Sequence, residues 1–195
     1  MIITHTDLLD RLKEYASPRS KITRLLQNDE LIQLKRGLYL DSKKRGFSLF
    51  AIANIIYGPS YISFESALSY YGLIPEKVNI VMSATFQKNK NKIFKTKISN
   101  FHYYHVPDSV FPWGVDKLTD NNHSFLIATP EKALLDTLYR ISQYDGALET
   151  LLFDDLRIDE DQLKDLDTNL IKRLAIDYKR NICRDFATWL EKEYL

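Results

Sequence analysis

The sequence predicts an α+β protein made of a small N-terminal winged helix-turn-helix followed by a larger mixed α/β domain with a helical C-terminus. Three observations carry that expectation. Apolar residues recur at helical spacing in two stretches before residue 27, a turn containing Gly37 then separates two short apolar runs, and beyond residue 46 helical and strand-like stretches alternate until the chain ends in helices. A length of 195 residues accommodates one small and one medium domain, set here at 1–45 and 46–195.

The first helix is expected from Thr4, an N-cap residue with Asp7 three positions on, and from Leu8, Leu9, Leu12, Tyr15 and Ala16 on one face. Ser17-Pro18 is a second start signal, a cap residue followed by proline at the first helical position. Ile22, Leu25 and Leu26 give the second helix its buried stripe, which fades at Asn28-Asp29. Leu31 to Leu34 and Leu38 to Leu40, either side of Lys35-Arg36-Gly37, read as a β-hairpin. Helix, tight turn, helix and basic hairpin is the layout of a winged helix, with Lys35 and Arg36 at the wing tip. Asp41 to Gly46 is polar and basic and is read as the linker.

In the larger domain a helix over about Phe47 to Tyr57 is apolar nearly all round, which predicts burial, and Gly58-Pro59 stops it. Ser63 opens another that ends at Tyr71, with Gly72 as its terminator. Val78 to Ala84 and His123 to Ala128 read as buried strands, and Lys92 to Ile98 and Phe101 to Val106 as strands at the sheet's edge. Thr129-Pro130-Glu131 begins a helix carrying Ala133, Leu134, Leu135, Leu138 and Ile141. An acidic connection from Asp154 to Asp167 and a final amphipathic helix complete the chain.

With 45% hydrophobic and 27% charged residues the composition is that of a soluble globular protein. No apolar run approaches the roughly 18–20 residues of a membrane span, so no membrane partner is expected. The N-terminus lacks the features of a signal peptide, and the lone Cys183 cannot form an internal disulfide; both make the cytoplasm the expected location. The net charge of +1 hides an asymmetry: residues 1–100 hold 16 Lys or Arg against 8 Asp or Glu, and residues 101–195 hold 11 against 18. Such a split suggests that the front half faces an anion, although differing solvated faces would give the same count.

Two helix starts make an internal comparison. Thr129-Pro130-Glu131 places an acid where the positive end of the helix dipole favours one. Ser17-Pro18-Arg19-Ser20-Lys21 places Arg19 and Lys21 there instead, at a cost of about 0.3–1 kcal/mol for each charge. Free backbone N–H groups beside cations form a seat for phosphate, and in a winged helix this end of the recognition helix meets the major groove. Arg24, Lys35, Arg36, Lys43, Lys44 and Arg45 extend the basic set, while Ser20 and Thr23 have hydroxyls suited to phosphate or base edges. Solvated exposure is the plain alternative for the helix cluster, and protection of a strand edge for Lys35 and Arg36. Lys88, Lys90, Lys92, Lys95 and Lys97 admit the same two explanations, an edge guard or an auxiliary phosphate contact.

No catalytic constellation is expected. His102 and His105, three apart in a strand, point to opposite faces. Asp159-Glu160-Asp161 and Asp165-Leu166-Asp167 read as a solvated acidic loop between helices, and Cys183 as buried beside Phe186 and Leu190. The scattered glycines form no phosphate loop, and no metal or cofactor is assigned.

Four segments in order, Asn28 to Leu40, Pro59 to Leu68, Tyr71-Gly72-Leu73-Ile74 and Thr129 to Asp136, resemble the AbiEi family of type IV antitoxins. The resemblance spans about residues 17–139 and is loose after 145. It implies a winged helix that binds double-stranded DNA at inverted repeats in its own promoter and represses a two-gene operon. It also implies a C-terminal domain that counteracts a nucleotidyltransferase-like toxin, with neither catalysis nor cofactor. By position in the motif, Arg19, Lys21, Arg24, Lys35, Arg36 and Tyr39 map to DNA-facing sites. Family members usually carry a further helix before the helix-turn-helix; here one helix precedes the recognition helix. A protein-binding antitoxin that does not touch DNA is the alternative, for which deletion of residues 1–45 is expected to leave toxin rescue intact. Within the later segments, pairing of Glu65, Glu131, Lys132 and Asp136 with one another or with helix starts is favoured over a binding surface.

Overall fold

Two sheets organise the chain in this computed structural model, which describes residues 1–43 and 46–194. The fold is mixed α and β, as the sequence predicts. Strand β1 (Ile2–Thr4) leads into α1 (His5–Arg11), followed by α2 (Pro18–Gln27), β2 (Leu31–Lys35) and β3 (Leu38–Asp41). The three strands form an antiparallel sheet with β3 in the centre. Thr4 caps α1 as expected, its hydroxyl oxygen accepting the Asp7 N–H at 3.2 Å. The hairpin turn is made by Gly37 at φ +81°, a left-handed conformation that costs glycine little.

Successive strand side chains point to opposite faces, and in this hairpin both faces are apolar. Leu31 and Tyr39 join Ile3, Leu8, Leu12 and Ile22 in a small core beneath α1 and α2. Leu34, Leu38 and Leu40 turn the other way, into the main core with Ala51, Ile52 and Ile56. A boundary at 45/46 therefore does not separate two independent cores, because the hairpin belongs to both. Of the expected linker, Lys44 and Arg45 lie outside the described residues.

The main sheet contains β4 (Ser60–Ile62), β5 (Ile80–Thr85), β6 (Lys92–Lys95), β7 (Asn100–His105), β8 (Val115–Asp120) and β9 (His123–Ala128), ordered β6-β7-β5-β4-β9-β8. The β5–β7 and β4–β9 pairs are parallel and the others antiparallel. Strand β7, expected at an edge, is bonded on both sides, to β6 and β5. Its alternation of Phe101 and Tyr103, both buried, with partly exposed His102 and Tyr104 reflects one half-open face rather than a free edge.

Helix α3 (Leu49–Ile56) is capped by Ser48 and buries Ala51, Ile52, Ala53 and Ile56, but Ile55 is exposed, so its burial is less complete than its composition suggests. Helix α4 (Phe64–Tyr71) ends at Gly72 in the left-handed conformation. Helix α5 (Pro130–Arg140), a π-helical turn at Thr150–Asp155, and helices α6 (Glu160–Leu163), α7 (Thr168–Tyr178) and α8 (Asn181–Tyr194) follow. Helices α7 and α8 pack on α5 and contribute Ile171, Leu174, Cys183 and Phe186 to the main core. Among the described residues, no helix is long and apolar enough to cross a membrane.

Candidate functional site

Helix α2 buries Ile22 and half-buries Leu25 and Leu26, which leaves Arg19, Ser20, Thr23 and Arg24 exposed on its outer side. No acid occupies its first turn, and Ser17 makes no side-chain cap bond. The Ser17 hydroxyl instead lies 2.8 Å from that of Ser20, so the Ser17 side chain accepts none of the first-turn N–H groups. Lys21 is half-buried, with its ammonium 5.1 Å from the centre of the Tyr15 ring. Thr23 donates its hydroxyl hydrogen to Arg19 O at 3.2 Å, leaving its oxygen lone pairs as acceptors.

The hairpin divides the expected set. Arg36 is exposed at the turn. Lys35 is drawn away from the tip, donating to Ile56 O at 2.5 Å and so satisfying a carbonyl at the negative end of α3. Tyr39 corrects the expected DNA-facing assignment: it is buried in the small core, with its hydroxyl 3.3 Å from His5 Nδ1. An aromatic ring whose apolar area fills a core is not available to a duplex. Lys43 is exposed and paired with Glu30, an ion pair that holds the Glu30 carboxyl below its usual range. Arg19, Ser20, Lys21, Thr23 and Arg24 therefore come together on one helix, with Arg36 on the neighbouring hairpin, whereas Lys35 and Tyr39 serve packing.

The second basic run lies along β6 and its approaches. Lys88 and Lys92 sit over the rings of Tyr57 and Phe94, at 5.4 Å and 5.9 Å, and Lys97 pairs with Asp29 just after α2. Strand β6 forms one edge of the main sheet, the position in which lysines oppose further strand pairing.

A second polar centre is wholly buried. Thr129 caps α5, accepting the Lys132 N–H at 3.4 Å, and one turn further in Lys132 Nζ lies 2.7 Å from Asp136 Oδ1. Tyr178 of α7 also donates to Asp136 Oδ1, at 2.5 Å, and stands beside the Lys132 ammonium. Tyr61 and Ser63 of the β4 region donate to Asp136 Oδ2 at 3.0 Å and 2.6 Å. Ser63, expected to cap α4, makes no cap bond, because its hydroxyl goes to the buried carboxylate. Gly114 closes the wall: a Cβ there would lie 2.9 Å from Lys132 Cβ, and its φ of +64° favours glycine independently.

The side chains of Tyr61, Ser63, Lys132, Asp136 and Tyr178 are each at most 2% exposed. Burial pushes the Lys132 ammonium down from its usual value while Asp136 pulls it back up, and burial raises the Tyr61 and Tyr178 phenols well above theirs. The neighbouring Cys183 thiol is pushed up to about 12, again chiefly by burial, consistent with an inert core cysteine. The arrangement ties β4, α5 and α7 together through one buried carboxylate.

Helix termini account for several of the remaining acids. Asp159 caps α6, Asp167 caps α7 by accepting from Asn169 and Leu170 N–H, and Glu131 accepts the Asp167 N–H at 3.0 Å. Glu65 meets Arg140 through two contacts of 3.2 Å. No group of three or more His, Cys, Asp or Glu among the described residues is arranged to hold a metal ion. Sequence reasoning named Lys132 and Asp136 but missed Tyr61, Ser63 and Tyr178 as their partners. They lie 42 to 75 residues from Asp136 in the chain, and nothing in their local sequence signals that their hydroxyls converge on one carboxylate. The chain matches no known family model and no curated protein.

Proposed function

We propose that the protein is a DNA-binding repressor and antitoxin without catalysis of its own, which reads inverted repeats in its promoter through α2 and the hairpin and counteracts a nucleotidyltransferase-like toxin. The observation that carries this reading is the start of α2, an exposed helix terminus with no acid, no side-chain cap bond, and Arg19 and Lys21 in its first turn. Arg24 continues that face and Arg36 stands at the wing. Strand, helix, helix and hairpin in that order also fit an abbreviated winged helix. The antitoxin half rests on the resemblance of the segments around Ser63 and Lys132 to the AbiEi family.

Fluorescence anisotropy with duplex DNA from the upstream region tests the first half. Saturable binding is expected, with log affinity falling by about 0.9 per phosphate contact for each unit of log salt. Arg24→Glu should weaken it on the order of ten-fold and flatten that slope. If no binding occurs at low salt, and charge reversal at Lys21 and Arg24 changes nothing, the DNA reading fails.

The place of Leu34, Leu38 and Leu40 in the main core favours a second reading, a protein-binding antitoxin that retains the unit for support alone. Deleting residues 1–45 cannot separate the two, because it removes part of the main core. The unaltered chain and Arg24→Glu together can: rescue by an unaltered chain that binds no upstream DNA at low salt supports the second reading, whereas DNA binding that Arg24→Glu weakens while rescue persists supports the first.

A further inference from the structure

Strands β4 and β9 run parallel but meet at one position, Ile62 opposite Ile127. Two residues back, that register would set Ser60 against Phe125. Instead these segments line a cleft of about 540 Å³, walled on its other sides by Phe111, Pro112 and Val115, with Lys117 among its lining residues. Asn54 of α3 reaches across, its Oδ1 accepting the Leu126 N–H at 2.7 Å.

Two polar groups of this cleft are unanswered. Asn54 Nδ2 and Ser60 Oγ are buried and have no hydrogen-bond partner among the described residues, and Ser60 as a whole is 4% exposed. Buried polar groups are nearly always bonded, so two unbonded ones at one cleft point to a ligand acceptor. The Tyr61 and Phe111 rings pack on each other, 5.0 Å apart and tilted by 48°, as one aromatic wall, with Phe125 and two prolines beside them. Tyr61 is held by Asp136, which fixes that wall in advance. Lys117 is exposed and makes no ion pair with the described residues.

We propose that this cleft binds a small planar aromatic carboxylate, its ring lying against the wall made by Tyr61, Phe111 and Phe125 and its acid group taking hydrogen bonds from Asn54 Nδ2 and Ser60 Oγ with Lys117 as counter-charge. The volume and the mostly apolar lining with a few polar groups suit such a molecule. A single cation in an apolar wall suits a carboxylate better than a phosphate. The inference does not depend on DNA binding.

Titration of the full chain with 2-naphthoate and with neutral 2-naphthamide, followed by amide chemical shifts, tests it. Saturable shifts centred on Ser60, Val115 and Ser124 to Leu126 are expected. Lys117→Met, at an exposed position, should weaken naphthoate roughly three- to five-fold and leave naphthamide unchanged. Ser60→Ala should weaken both ligands about three- to ten-fold while raising the thermal midpoint of the free protein, since it removes an unbonded buried hydroxyl. Non-saturable shifts, shifts centred elsewhere, equal loss of both ligands in Lys117→Met, or a lowered midpoint in Ser60→Ala would each overturn the proposal.

Discussion

Helices α2 and α5 begin with nearly the same words, Ser17-Pro18 and Thr129-Pro130, and put the charges that follow to opposite uses. In α5 the cap bond forms, Glu131 turns to the start of α7, and Lys132 is sealed against Asp136 with no exposure. In α2 the cap hydroxyl bonds another serine, no acid answers the dipole, and Arg19 faces outward in the first turn. A charge enclosed by its own chain is a structural part whose removal appears as lost stability. A charge left outside against its own helix dipole lowers stability slightly and gains meaning only from something that binds there. Stability and binding measurements should therefore separate the two helices.

The largest effect is expected at Asp136. Asp136→Ala leaves a buried ammonium unpaired and three hydroxyls without their acceptor, at a cost of about 3–5 kcal/mol in urea denaturation. Replacing both charges, Lys132→Met with Asp136→Leu, should recover much of that loss, because neither residue then needs desolvating as an ion. A single substitution costing under about 1 kcal/mol would contradict the structural role of this centre.

Alkaline pH probes the two phenols of this centre more gently, together with Tyr103, which donates to Ala53 O elsewhere in the main core. Burial raises the phenols of Tyr61, Tyr103 and Tyr178 in the folded state, while in the unfolded chain they ionise near 10.0. Above that pH the unfolded state releases protons that the folded state retains, so stability is unaffected below about pH 10 and falls as pH rises beyond it. Each tyrosine contributes up to about 1.4 kcal/mol per pH unit. The lowered Lys132 acts in the opposite direction, since the unfolded chain holds that proton longer, but it is one group against three. Absorbance titration at the tyrosinate band, in native and urea-unfolded protein, checks the order of ionisation.

Local signals were legible wherever neighbours in sequence decide the structure. Thr4, Ser17-Pro18, Gly37, Gly72 and Thr129-Pro130 each mark a boundary that the fold observes. What escaped was non-local. Strand β1 has three residues and becomes a strand only by pairing with Leu38 to Leu40. Strand β8, with Asp116, Lys117, Thr119 and Asp120, carries too little apolar pattern to announce itself and is defined by β9. The candidate interface was legible as charge, but burial of Tyr39 and the capture of Lys35 by Ile56 O depend on where the hairpin docks. Likewise Lys132 and Asp136 are one helical turn apart and readable as a pair, whereas Tyr61 and Tyr178 reach them from separate elements.

The smallest effects give the sharpest contrast, because the two helix starts should respond with opposite signs. Thr129→Ala removes a formed cap and should cost about 1 kcal/mol, with no change in DNA affinity. Ser17→Asp should do the reverse. A carboxylate at that position can accept the N–H groups the serine leaves unanswered and oppose the dipole, which adds a few tenths to about 1 kcal/mol of stability. The same carboxylate occupies the proposed phosphate seat, so DNA affinity should fall while the protein becomes harder to unfold. A loss of binding accompanied by a loss of stability would mean only that the helix was damaged. A gain in stability with affinity unchanged would place the duplex elsewhere. Only a gain paired with a loss identifies the first turn of α2 as a surface whose mismatch with its own dipole serves a ligand.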